Sequence, residues 1–256
     1  MSALCLNSLQ YESGNAFSNS WQHEFRPVTG NGSQNSSPTP FYSSNHFVSC
    51  EDLGGVGSFN TTCLLNTNLS LDSDFYVSGT GNLEILPHVL ICCPIEGCSI
   101  TLNMSGNIKV SQHAAVVAGS VVFSAANVTL EYNSYINTTA LGGAPPTQTS
   151  GTPVGFDGSG GGHGGRGASC LKSNQTSNWG GDVYAWSTLS KPWSYGSKGG
   201  GISEEKPYGG LGGGRVKLLI VDVLYLNGSI LAEGGDGGSS GGGGSGGSIF
   251  VHAVKL

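Results

Sequence analysis

The chain has 256 residues, 44 of them glycine, with 10% charged residues and a formal net charge of −6. Ordinary globular domains carry about 25% charged residues. So sparse and acidic a balance excludes the basic field that holds nucleic acid and a lysine-rich surface for acidic lipid. Hydrophobic residues still reach 37%, and Val, Ile, Tyr and Trp recur between the glycine tracts. An ordered core is therefore expected rather than a disordered glycine-rich chain.

Residues 1–48 are rich in Ser and Asn, and "NGSQNSSPTP" reads as a loop, so this segment is expected to be disordered. Its start, "MSALCLNSLQYESGNAFSNS", has neither the basic region nor the apolar run of a signal peptide. No stretch of the chain reaches the roughly 18 apolar residues of a membrane span. A signal peptide and a transmembrane region are thus absent from this sequence, and the segment is expected to make no membrane contact. Seven cysteines follow a local pattern. Cys50 and Cys63 flank "CEDLGGVGSFNTTC", and Cys93 and Cys98 flank "CPIEGC". Both spacings suit local disulfides in an oxidising compartment. A zinc site would need a second Cys or His pair nearby, which "CCPIEGC" lacks. Of Cys5, Cys92 and Cys170, at least one is expected to be free or paired outside this segment. Nine N-x-S/T sequons agree with a secreted glycoprotein: Asn31, Asn35, Asn60, Asn68, Asn103, Asn127, Asn137, Asn174 and Asn227.

From residue 75 the pattern is one of strands. "SITLNMSGNIKVSQHAAVV" lies over "SVVFSAANVTLEYNSYINTTA". Asn107 matches Asn127, Ile108 matches Val128, Val110 matches Leu130 and Val116 matches Ile136. Apolar and polar residues alternate, and short strands repeating near every 20 residues point to a solenoid. A looser copy in "RVKLLIVDVLYLNGSILAEGG" places Val223, Tyr225 and Ile230 inward, and "GGSIFVHAV" places Ile249, Val251 and Ala253 on one face. The fold expected is all-β, a right-handed parallel β-helix over 49–256 with glycine-rich looped-out insertions, the largest at about 142–214. Glycine is expected to supply positive φ at corners and to admit close backbone contact. The glycines of 234–247 read as a turn system rather than a tether. Trp179, Trp186, Trp193, Tyr184 and Tyr195 are expected to form a satellite core in the large insertion.

"FDGSGGGHGGRG" offers the one candidate loop site, Asp157, His163 and Arg166. β-Helical pectin enzymes use aspartates and a basic residue to move protons, so these residue types invite comparison. A hydrolase needs carboxylates converging from neighbouring coils, and Asp222 and Asp236 fall on different repeats. The expected role of the loop is structural, with replacement of Gly164 or Gly165 by Val impairing folding. "GSKGG" lacks the Ser or Thr of a phosphate loop, and "GGDGG" does not match the calcium nonapeptide. No catalytic residue, cofactor or metal is expected.

Long motifs, "CEDLGGVGSFNTTC", "LPHVLICCPIEGCSI", "QTSGTPVGFDGSGGGHGGRGASCL", "WGGDVYAWSTLSKPWSYGSKGG" and "GGLGGGRVKLLIVDVLYLNGSILAEGGDGGSSGGGGSGGSIFVHA", carry a resemblance over residues 49–256. The segment resembles the N-terminal ectodomain of the large plant glycine-rich proteins. The resemblance implies a secreted, glycosylated β-helical ectodomain, with further coils and transmembrane helices further along, and it does not imply an enzyme. Two departures stand out: the family begins with a signal peptide, and it has two adjacent cysteines where this chain has Ser169 and Cys170. The function expected is a non-catalytic extracellular structural or recognition module at the plant cell surface or wall, with cell-wall polysaccharide as the partner. The alternative is a pectin-active lyase or hydrolase of the parallel β-helix type.

Overall fold

The structure, a computed structural model, describes residues 48–145, 151–153, 158–169, 179–184, 190–201 and 209–256. The segment 1–47, and with it the expected disordered N-terminus, lies outside the described residues. So do Asp157, Cys170, Asn174 and Trp186.

Short runs, most of them alternating apolar with polar residues, form sixteen strands among the described residues, which contain no helix. One sheet contains β1 (Gly55–Gly57), β2 (Thr62–Leu65), β5 (Asn82–Ile85), β8 (Asn107–Val110), β11 (Asn127–Leu130) and β14 (Leu224–Leu226). A second contains β4 (Phe75–Gly79), β7 (Ser99–Met104), β10 (Ser120–Ala125), β13 (Arg215–Ile220) and β16 (Ser248–His252). A third contains β3 (Leu69–Ser70), β6 (Leu90–Cys92), β9 (Ala115–Val117), β12 (Tyr135–Asn137) and β15 (Ser229–Leu231). Beyond β1, every sheet takes each third strand of the chain. All pairings are parallel except β1 with β2, a short antiparallel hairpin at the first edge.

Register follows the alternation. Asn107 pairs with Asn127, Ile108 with Val128, Val110 with Leu130 and Val116 with Ile136, the four equivalences expected from the sequence. Ile108, Val110, Val128 and Leu130 are buried. The third copy departs from expectation by one residue. Leu224, not Val223, pairs with Val128, so Leu224 is buried while Tyr225 is exposed. A one-residue shift sends each side chain to the opposite face. Ile249 and Val251 pair with buried Val216 and Leu218 as the pattern requires, yet both are exposed. The reason is position: β16 is the edge strand of its sheet among the described residues. Asparagines reinforce one corner. Asn82 Oδ1 accepts from the Asn107 amide at 2.8 Å, Asn127 Nδ2 donates to Asn107 Oδ1 at 2.8 Å, and Asn127 Oδ1 accepts from the Val223 amide at 3.0 Å.

Two disulfides close the expected loops, Cys50–Cys63 with Cα atoms 5.7 Å apart and Cys93–Cys98 with 6.2 Å. Loops this short gain up to ~3 kcal/mol from cross-linking in the chain-entropy model. Cys92 is also disulfide-bonded.

Apart from a hydrogen-bonded turn at Gly238–Gly241, which is as much of the expected turn system as 234–247 contains, the glycine tracts pair with one another and are not tethers. Gly196 N donates to Gly213 O and Gly199 N to Gly210 O, while Gly210 N reaches Gly242 O and Gly213 N reaches Ser245 O. Gly242 N and Ser245 N donate in turn to Gly200 O and Ser197 O, and Gly244 N and Gly247 N to Gly235 O and Ala232 O. Each partnership recurs after three residues, the period of a polyproline II helix. One segment thereby serves several neighbours at once. Positive φ is not why these residues are glycine. Elsewhere the expected positive φ is supplied by Gly54, Gly57, Gly97 and Gly158, and also by His88, His113 and Asn133, types that tolerate it better than most. The tract glycines are needed for space. A Cβ on Gly181 would fall on the carbonyl oxygen of Gly151, and one on Gly247 on that of Gly214. By contrast Gly164 and Gly165 face open space, which overturns the expectation that substitution there impairs folding.

Replacing Gly181 or Gly247 with Ala is therefore expected to cost at least ~1–3 kcal/mol through overpacking, whereas Gly164→Ala should leave stability within about 0.5 kcal/mol. Thermal or denaturant unfolding of the purified variants measures the difference.

Candidate functional site

The candidate loop is engaged in structure. His163 Nδ1 lies 2.8 Å from the carbonyl oxygen of Gly246 and donates to it. The ring is half-buried and tilts against Tyr184 at 5.0 Å. Burial pushes the His163 pKa below its ordinary value, and the bond to Gly246 opposes that shift. Arg166 pairs with Asp182 and lies 5.8 Å from the centroid of the Trp179 ring. His163 thus ties its loop to the 242–247 segment, and Arg166 holds a different one. The third member, Asp157, lies outside the described residues.

The aromatic cluster is also rearranged. Trp179 is 65% exposed, so it belongs to no satellite core. Tyr184 is buried, and its hydroxyl donates to the carbonyl oxygen of Tyr195. Burial raises the Tyr184 pKa above its usual value, partly offset by the hydrogen bond with Ser197. Trp193 and Tyr195 do something the sequence reading missed: they clamp a cation. The Arg215 guanidinium lies 4.3 Å from the Trp193 ring centroid and 4.2 Å from that of Tyr195. Lys217 Nζ lies 3.9 Å from the Trp193 centroid.

Local rules build this arrangement. Alternation along β13 puts Arg215, Lys217 and Leu219 on the face away from buried Val216 and Leu218. Lys217 pairs in register with Phe250 and Leu219 with His252, so the four lie side by side on the outer face of the second sheet. The segment 190–201 crosses this face and is pinned through Ser248. The Ser248 hydroxyl donates to the Ser194 carbonyl at 2.8 Å and accepts from the Ser194 amide at 3.2 Å. Tyr195 reaches the Gly97 carbonyl at 3.2 Å, and Arg215 Nε reaches Ser120 Oγ at 3.2 Å. Between the crossing segment and the sheet lies a cleft of about 350 Å³, lined by Lys191, Pro192, Lys217, Leu219, Phe250 and His252. That volume falls at the small end of ligand sites, ~300–1,000 Å³. Its described lining is apolar with cationic heads and includes no carboxylate. Burial, and then the neighbouring Arg215, lower the Lys217 pKa from its ordinary value. Among the described residues no group of three or more His, Cys, Asp or Glu gathers as a metal would require.

Alternation along β13, and the placement of Ile249 and Val251 on one face of β16, leave Arg215, Lys217, Phe250 and His252 on the other face. Nothing local in the sequence announced that "KPWSY", more than 20 residues earlier, would lie across them. Compared with known protein families, curated proteins and solved structures, the chain finds no match.

His163 gives a pH dependence with a definite sign. Its folded pKa is lowered, so just below the unfolded value of about 6.5 the unfolded chain binds more protons. Stability is expected to fall as the pH drops from about 7 through that value toward the folded pKa. His163→Gln removes this titration, and melting curves from pH 7.5 to 5.5 should lose part of their acid-side decline.

Proposed function

We propose that this chain is a non-catalytic extracellular recognition module that binds polysaccharide, carried on a right-handed parallel β-helix with glycine-rich looped-out insertions. The β-helix reading is supported by sheets that take every third strand in parallel register. The extracellular reading is supported by the disulfides, which persist in oxidising compartments. Among the described residues no helix is long and apolar enough to cross a membrane. Membership of the large plant glycine-rich proteins, and with it a place at the plant cell surface or wall, belongs to the same proposal and rests on the motifs quoted above. The observation that carries polysaccharide binding is the cleft on β13 and β16. Cationic heads beside apolar and aromatic surface suit the C–H faces and polar rims of sugar rings.

The engagement of His163 and Arg166 in holding the glycine segments together supports a binding role over the pectin lyase or hydrolase alternative. General acid–base catalysis by one placed group gives only ~10²–10⁴-fold, so an effective enzyme needs several groups on one bond.

Binding is tested by titrating the chain with soluble wall polysaccharides, acidic and neutral. Saturable binding to at least one is the expected result, and none would defeat the reading. Incubated with pectin, the chain should release no reducing sugar; release abolished by Asp157→Ala would establish the enzyme instead. As a glycoprotein it should carry glycan at the exposed Asn60, Asn68, Asn103 and Asn227. Asn127, whose amide nitrogen is committed to Asn107, should be bare in glycopeptide mapping.

A further inference from the structure

Most cations among the described residues are neutralised in place. The described residues include seven lysines and arginines: Lys109, Arg166, Lys191, Lys198, Arg215, Lys217 and Lys255. Lys109 pairs with Glu84 and Glu131, Arg166 with Asp182, Lys198 with Glu96, and Lys255 with Asp222. The three without a carboxylate partner among the described residues are Lys191, Arg215 and Lys217. They are also the three that meet at one place. Lys191 and Lys217 line the cleft with His252, while Arg215 sits behind, between Trp193 and Tyr195.

We propose that this cleft holds a carboxylated sugar ring of an acidic polysaccharide, its carboxylate toward Lys191 and Lys217 and an apolar ring face against Phe250 and Leu219. The inference rests on the polysaccharide reading above and narrows it to uronate-type sugars and to one site. Charge decides the ligand class. A chain of net charge −6 has gathered three cations on one outer face with no acid among the described residues to answer them, and an anionic ligand supplies a partner. A nucleic acid fits less well, because its affinity grows with the number of phosphates neutralised and this patch is short. The cleft also combines charge with apolar surface from Pro192, Leu219 and Phe250. That combination matches a ring with one ionised substituent better than a bare inorganic anion. Arg215 is a positioning residue here. Its Nη1 reaches the Trp193 carbonyl at 3.4 Å and its guanidinium stacks on the Trp193 ring, which keeps the crossing segment over the sheet. Lys217 is held beside that cation at a cost, shown by its lowered pKa, and a carboxylate in the cleft would offset it.

The test titrates the 256-residue chain with a de-esterified 1→4-linked oligogalacturonide, the same oligomer methyl-esterified, a sulfated oligosaccharide and a neutral β-glucan oligomer. The de-esterified oligomer should bind tightest, at least about tenfold better than its methyl ester, and its affinity should fall with added salt. Lys191→Ala and Lys217→Ala should each weaken it by about tenfold, the scale of one hydrogen bond to a charged group. Lys198→Ala, whose ammonium pairs with Glu96 elsewhere, should not. Melting curves confirm folding, and the exposed Lys191→Glu serves where Lys217→Ala does not fold. Equal binding of acid and ester, or unchanged acid binding in folded Lys191 and Lys217 variants, overturns the cleft assignment while polysaccharide binding stands. Tighter binding of the sulfated oligomer overturns the carboxylate. Binding of none of the four overturns both readings together.

Discussion

A backbone amide removed from water has to meet an acceptor, and a chain with 44 glycines has few side chains to provide one. The structure satisfies this constraint in two ways. Where Val, Ile and Leu alternate with polar residues, the backbone pairs in parallel register and the apolar side chains stack into one core. Where glycine dominates, the backbones approach until only hydrogen fits on Cα, and amides reach carbonyls of several neighbouring segments in a three-residue rhythm. The second solution depends on the absence of side chains as strictly as the first depends on their presence.

The two solutions are joined at fixed points. The chain leaves the third sheet after β12 and re-enters the second at β13 without losing register, Ser120 pairing with Arg215 at a sequence separation of 95. Gly214 N donating to Thr138 O and Arg215 N to Gly119 O at 2.7 and 3.0 Å mark the return. A second, shorter excursion separates Arg215 from its next partner, Ser248. Because both excursions are packed against each other, the segment they carry over the sheet face is held in place. A cleft between a sheet and a crossing segment follows from that arrangement, with its floor and roof drawn from distant parts of the sequence.

Polar side chains are scarce enough in the glycine region that those present act as fasteners. His163 holds Gly246, Arg166 holds Asp182, Ser248 holds Ser194, and Tyr195 holds Gly97. A His and an Arg among glycines resemble a catalytic loop when read along the chain, because residue types are all that is visible there. Their hydrogen-bond partners, which decide what they do, come from segments tens of residues away. The proposed recognition chemistry falls instead to cations that have no such fastening partner among the described acids.

The sequence by itself determined the strands, the disulfide loops and the register of Ile108, Val110 and Val116 with Val128, Leu130 and Ile136, since period-two alternation and short cysteine spacing are local signals. It could not place Tyr225, because Val223, Leu224, Tyr225 and Leu226 are all apolar enough to fit either face, and only pairing with Val128 chooses Leu224. Nor could it reveal that Ile249 and Val251, patterned for a core, end a sheet and stay exposed. Glycine was legible as a requirement for close approach but not as to what approaches. The carbonyls that fill each missing side chain belong to segments brought together only in three dimensions, and the cleft of Lys191, Lys217 and Phe250 exists for the same reason.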